Sequence, residues 1–217
     1  TKPVCGYDLK IFSEDGKELS ANEEGLVVVK LPLPPGNMLG LWENDKRFKE
    51  SYFSRFDGYY LSGDGGFIDE DGYVFITGRV DDLINVAGHR LSTAEMEEVV
   101  ASHHSVAECA VIGISDDLKG QIPVALVVVK AGESIENFQL EYEVVQLIRK
   151  KIGAVASLRN VIVVQRLPKT RSGKILRKLL RSIADGENFQ IPSTIDDETI
   201  IEEIQNDFKI SKLGKAI

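Results

Sequence analysis

The sequence predicts an α+β protein, a β-rich first part followed by a small domain that alternates strands and helices. Three observations predict it. Short alternating apolar runs at residues 7–12, 25–31 and 73–77 give the first eighty residues a strand pattern. From Asp82 onward, strand-length apolar runs such as 124–129 trade places with helical stripes such as Leu140, Val144, Leu147 and Ile148. Finally, 43% hydrophobic residues in a chain of 217 suffice for a buried core in one or two domains.

The elements follow in order. Strands at 7–12 and 25–31 flank a polar turn region at 13–24, and Pro32, Pro34, Pro35 and Gly36 then break the chain. Residues 45–53 predict a short helix. Phe67-Ile68 and residues 73–77 flank Asp69-Glu70-Asp71-Gly72, a hairpin signal. Ser92 with Glu95 forms a capping box, and Met96, Val99 and Val100 supply the apolar stripe behind it. Strands are expected at 107–114 and 124–129, then a helix stopped by Gly153. A strand at 161–164 leads through a polar loop to a helix carrying Ile175, Leu176, Leu179, Leu180 and Ile183. The tail carries a last helical stripe, Ile201, Ile204 and Phe208. The expected partition is residues 1–80, 81–190 and a helical tail at 191–217.

Composition excludes several classes. A mean hydropathy of −0.09 and 28% charged residues describe a folded, soluble chain. The apolar runs are far shorter than a membrane span, and no signal peptide opens the chain. Cys5 and Cys109 have no ligand-like spacing and read as thiols of a reducing compartment, the cytoplasm or a mitochondrial matrix. The net charge of −8 is asymmetric. Eleven Lys/Arg and no Asp or Glu lie between Val144 and Ala184, leaving that segment +11 and the remainder −19. One compact basic island on an acidic body suits a discrete phosphorylated ligand, although a solvated basic helix has the same composition.

Three segments carry chemistry. In residues 59–64 (YYLSGD), Asp64 follows Ser62-Gly63 at a strand end, where glycine allows close backbone approach and a carboxylate can accept two hydrogen bonds from a ribose-like diol. Ser-Gly-Asp alone also describes a plain turn. Residues 78–95 (GRVDDLINVAGHRLSTAE) place Arg79 and two carboxylates in one interdomain connection, with Asp81 at the boundary as a hinge candidate. Gly88-His89-Arg90 then leads toward the helix cap at Ser92, as a loop past which an anionic or pantetheine-like chain can run. Residues 167–177 (LPKTRSGKILR) offer Lys169, Arg171 and Lys174 from a strand-to-helix turn that Gly173 keeps mobile. A lysine delivered this way suits phosphoryl or adenylyl transfer, where positive charge meets accumulating negative charge. It is not a P-loop, because the upstream glycine and the following Ser/Thr are missing.

With these residues in this order, the chain resembles the C-terminal part of the AMP-forming acyl-CoA synthetases, in the adenylate-forming superfamily. The resemblance covers roughly residues 1–190. Around the lysine loop, RFKESYFSRFDGYYLSGDGGFIDEDGYVFITGRVDDLINVAGHRLST and IRKKIGAVASLRN are most similar to the propionyl-CoA synthetase branch. Acetyl-CoA synthetases are similar but usually carry serine at Ala87 and glycine at Ser92.

The resemblance implies that residues 1–80 are the β-rich end of a large N-terminal domain and residues 81–190 a mobile C-terminal domain. It implies nucleotide contacts from Asp64, Arg79 and Arg90, a hinge at Asp81, a CoA path along Ala87-Gly88, and a CoA phosphate partner in Arg149. Lys174 would be the adenylation lysine, and His103 with the carbonyls of Ala101 and Val106 would hold a cation. Read from the residues alone, His103 is an exposed histidine at a helix end. The implied reaction joins propionate or acetate to CoA through acyl-AMP, with ATP, Mg2+ accompanying it, and CoA as small-molecule partners. The phosphate loop, acyl pocket and adenine segment of the family are not found in these residues and are expected upstream, so this chain alone is expected to be inactive. The rival reading is a non-catalytic module binding anions or nucleic acid through 169–181. No aromatic residue lies between Val144 and Ala184, so a base-stacking platform is missing there.

Overall fold

A computed structural model describes residues 1–215, apart from the side chain of Asp81. The chain divides into two compact units, Thr1–Asp81 and Asp82–Ile217.

The first unit is a four-stranded antiparallel meander. Strands β1 (Leu9–Phe12), β2 (Gly25–Lys30), β3 (Tyr59–Ile68) and β4 (Val74–Arg79) lie in sequence order, with helix α1 (Asp45–Tyr52) between β2 and β3. Leu26, Val27, Val28 and Val29 are all buried, so β2 forms the centre of the core. Phe12 packs on Phe56 and Tyr59 at centroid distances of 5.4 and 4.6 Å. The hairpin signal at 69–72 is where β3 turns into β4: Asp69 accepts the N–H groups of Asp71 and Tyr73 on one carboxylate oxygen. A 3-10 turn, Val80–Asp82, follows β4.

The second unit is a five-stranded sheet with helices on both faces. Its elements are β5 (Leu83–Val86), β6 (His89–Ser92), α2 (Thr93–Ala101), β7 (Val106–Asp116), β8 (Gly120–Val129), α3 (Asn137–Lys151), β9 (Asn160–Val163), α4 (Arg177–Ala184) and α5 (Ile200–Ser211). The order is β6-β5-β8-β7, with β9 parallel to β8. Side chains alternate along the two central strands as period-2 geometry requires. Ala110, Ile112, Ile114, Val124 and Leu126 join the core under α4 and α5, whereas Cys109, Val111, Ala125 and Val127 join the one under α2 and α3. Ser92 caps α2, its hydroxyl accepting the Glu95 N–H.

Four local expectations need correction. Residues 83–92 form a hairpin, β5–β6, rather than a loop leading to a helix. Ala87 and Gly88 adopt φ 49° and 87°, the two left-handed positions of a two-residue turn. His103 is buried, not an exposed residue at a helix end. Helix α4 begins at Arg177, so Ile175 and Leu176 belong to the preceding loop. The tail helix is built into the second unit, because Ile200, Ile201, Ile204 and Phe208 are buried in the α4–α5 core. Fully burying such side chains stabilises a fold by about 1.5–3 kcal/mol each, so the tail is structural material.

Candidate functional site

In the first unit, Asp64 and Arg79 are cross-strand partners on β3 and β4. Arg79 Nη1 lies 3.3 Å from Asp64 Oδ1 and donates to the Ser62 carbonyl at 3.1 Å. The Ser62 hydroxyl donates to the Val27 carbonyl at 2.9 Å and accepts the Asp64 N–H at 3.0 Å, holding the backbone under the carboxylate. Gly63, at φ 79°, is required here: a Cβ would stand 2.7 Å from Arg79 Nη2. The carboxylate keeps about a third of its surface exposed, which leaves acceptor positions open for a diol. The pairing runs between strands, not inside the turn that contains Asp81.

The second unit separates the candidate residues onto different faces. Arg90 is exposed on β6 opposite Asn85, two residues beyond the exposed Ala87-Gly88 turn. The Ala87 N–H donates to the Lys119 carbonyl at 2.9 Å, so this turn is anchored to the chain just before β8. Arg149 stands at the C-terminal end of α3, on the α2–α3 side. It lines an open cavity of about 280 Å³ with Val145, Ile148, Gly153, Leu158 and Arg159. Arg159 was missed by sequence reasoning. Its signal was spacing, ten residues beyond Arg149, where the chain doubles back after a left-handed Ser157. Arg149 and Arg159 line this cavity together with the apolar Val145, Ile148 and Leu158, a combination able to take a phosphate attached to a larger ligand.

Lys174 belongs to the other face, on the loop that enters α4. This loop is closed rather than loose. The Thr170 N–H donates to the Lys174 carbonyl at 2.8 Å, the Gly173 N–H to the Thr170 carbonyl at 2.8 Å, and the Lys174 N–H to the Thr170 hydroxyl at 3.1 Å. Lys169 Nζ is held 2.6 Å from Glu108 on β7. The Lys174 side chain is exposed and its ammonium has no partner among the described residues. The loop thus presents one free ammonium on a fixed backbone.

The basic island therefore does not remain one patch. Arg149, Lys150, Lys151 and Arg159 gather around the end of α3, while the residues from Lys169 onward lie around the loop and α4. Several are neutralised locally. Glu97 of α2 holds Arg177 through two bonds of 2.6 and 2.8 Å and also accepts the Val111 N–H, which raises the guanidinium's pKa. Burial pushes the nearby Cys109 thiol up to about 11, so it is an inert neutral group. Cys5 and Cys109 are both free thiols.

His103 is hydrogen-bonded through both ring nitrogens. Its Nδ1 accepts the Ser105 N–H at 3.3 Å, so Nε2 carries the proton and donates to Glu143 at 2.8 Å. The structure gathers three possible ligand side chains there, His103, His104 and Glu143, with the two rings stacked at 4.6 Å. Gln139 and His103 together hold the Glu143 carboxyl below its usual range. Among the described residues, no helix is long and apolar enough to cross a membrane.

The chain thus joins a strand meander carrying a carboxylate–guanidinium pair to a two-faced domain with an exposed lysine on a closed loop. Residues 95–174 match the AMP-binding enzyme C-terminal domain family. An acyl-CoA synthetase short-chain family member 3, mitochondrial, from Homo sapiens is 46% identical over 96% of this chain and 30% of its own length. An acetyl-coenzyme A synthetase of Bdellovibrio bacteriovorus is 43% identical over 94% of this chain and 32% of its own. Among solved structures, ATP-bound MatB of Rhodopseudomonas palustris matches at TM-score 0.68 and 29% identity, covering 83% of this chain and 34% of that one. Residues 95–174 of the second unit thus match this domain family, and the chain is similar to short-chain acyl-CoA synthetases over nearly its whole length. It spans about a third of the length of these relatives.

Proposed function

We infer that this chain is the C-terminal portion of an AMP-forming short-chain acyl-CoA synthetase acting on propionate or acetate. The observation that carries the reading is the free ammonium of Lys174 on a hydrogen-bonded loop, beside homology to short-chain acyl-CoA synthetases. In the first step a carboxylate oxygen attacks the α-phosphorus of ATP, forming acyl-AMP and releasing pyrophosphate. Charge builds on the phosphoryl oxygens, and the Lys174 ammonium stabilises it there. Asp64 accepts the ribose hydroxyls, with Arg79 and Arg90 as further nucleotide contacts. Mg2+ enters with ATP as its counter-ion, and no residue of this chain is assigned to hold it.

In the second step the CoA sulfur attacks the acyl carbon, the thiol proton is lost and AMP departs. Ala87-Gly88 provides an exposed backbone edge for the pantetheine chain, and Arg149 with Arg159 takes a CoA phosphate. The separation supports a division of labour: the lysine loop enters α4 on one side of the sheet, and the arginine cavity lies at the end of α3 on the other. A swing about Asp81 exchanges the two, and residues 81–190 are the mobile part. The rival module reading is not supported, because the basic residues are divided and partly neutralised.

The test uses the full-length protein and separates the half-reactions. Lys174→Ala should lower acyl-AMP formation by about 10²–10³. Thioester formation from supplied acyl-AMP and CoA should be largely spared, because that mixed anhydride is already activated. Equal slowing of both halves would remove the assignment of Lys174 to adenylation.

A further inference from the structure

The lysine loop has a neighbour that neither its sequence nor its chemistry announces. Residues 192–196, beyond helix α4, return to lie against it. The Arg171 N–H donates to the Thr194 carbonyl at 3.0 Å, and the Asp196 N–H donates to the Lys169 carbonyl at 2.9 Å. Thr170 and Ile195 form an antiparallel bridge between these bonds, while Lys169 and Ile175 bridge within the loop itself. The returning segment thus backs the loop through one bridge and two flanking backbone hydrogen bonds.

That segment is fixed at several points. Ile195 is only 4% exposed and belongs to the α4–α5 core. Arg166, two residues ahead of Pro168, reaches across to the tail: Nη1 to Asp197 at 2.6 Å, Nη2 to Glu203 at 2.7 Å and to the Thr199 hydroxyl at 2.7 Å. Asp197 in turn accepts the N–H and hydroxyl of Thr199 at the start of α5. The entry to the loop and the segment behind it are therefore clamped to the same helix.

We propose that the C-terminal segment Thr194–Asp196 is the positioning element for Lys174, setting where its ammonium points during adenylation. The proposal rests on the reading of Lys174 given above. A six-residue turn containing a left-handed glycine closes on itself but does not by itself fix its direction. The two backbone bonds and the Arg166 clamp fix it, and electrostatic stabilisation depends steeply on that placement. The residues of this segment touch no reacting atom; they act through the loop.

The experiment compares Asp196→Pro, Asp196→Ala and Lys174→Ala in the full-length protein. Proline deletes the N–H given to the Lys169 carbonyl, and alanine keeps it. Asp196→Pro should slow acyl-AMP formation by about ten- to a hundredfold while thioester formation from supplied acyl-AMP stays within about twofold. Asp196→Ala should follow the parent in both. Asp197→Asn, which weakens the Arg166 clamp without touching the backbone, is the second variant should proline disturb folding, and should slow the same half alone. Equal rates of acyl-AMP formation in Asp196→Pro and Asp196→Ala would overturn the proposal, as would equal slowing of both halves. A Lys174→Ala protein with undiminished acyl-AMP formation would overturn the underlying reading instead, so the two failures are distinct.

Discussion

Replacing Gly63 by alanine isolates the geometry of the carboxylate–guanidinium pair. Two costs follow from the structure. The residue sits at φ 79°, where an L side chain loses roughly 1–2 kcal/mol. Its new Cβ would also stand 2.7 Å from Arg79 Nη2, well inside van der Waals contact, so the guanidinium must retreat. Its contact with Asp64 is already 3.3 Å, and any retreat breaks it. A half-exposed ion pair contributes about 0–1 kcal/mol. The sum is a loss of about 1–3 kcal/mol from the first unit. Urea unfolding followed by near-UV circular dichroism reads this directly, since every tyrosine but Tyr142 lies in that unit. In an Arg79→Ala background the clash and the pair are both gone, and the same substitution should cost only the backbone part. In the full-length protein, Gly63→Ala should also weaken ATP binding. An equal stability loss in both backgrounds would refute the steric argument, and unchanged ATP affinity would refute the nucleotide role of the pair.

Two further predictions concern the hinge and the tail. Asp81→Pro stiffens the connection between the units, so it should slow thioester formation more than acyl-AMP formation; stopped assays of each half-reaction decide, and equal effects would deny the hinge. Arg166 holds the Asp197 carboxyl down at about 2 and the Glu203 carboxyl below its usual range. Depressed carboxyl pKa values contribute stability above the unfolded values, near pH 4, and lose it as pH falls toward 2. Arg166→Met should therefore be less stable than the parent at neutral pH, with the gap closing between pH 4 and 2. A gap independent of pH, measured by urea unfolding, would contradict this.

Much of the architecture was legible in the residues. The alternation of β7 and β8, the stripe of α3, the cap at Ser92 and the turn at 69–72 are local properties, because period and capping depend on near neighbours in the chain. The lysine loop, Asp64, Arg79, Ala87-Gly88 and Arg149 were singled out as candidates through the order of their motifs. The β5–β6 hairpin was not, because four-residue strands around Ala87-Gly88 carry too few apolar positions to show a period. Arg90 had looked like part of a loop for the same reason.

What only the tertiary structure decided is which distant residues meet. Composition made eleven cations one island; folding put the sheet between them and gave Glu97, Glu108, Asp197 and Glu203 as partners to three of them, Arg177, Lys169 and Arg166. His103 turned inward onto Glu143, and Arg159 came to share a cavity with Arg149. The tail that sequence set apart supplies both core side chains and the segment behind Lys174. These pairings span from ten to eighty residues of chain, and no local preference records them; they exist because burying two faces of one sheet brings those segments together.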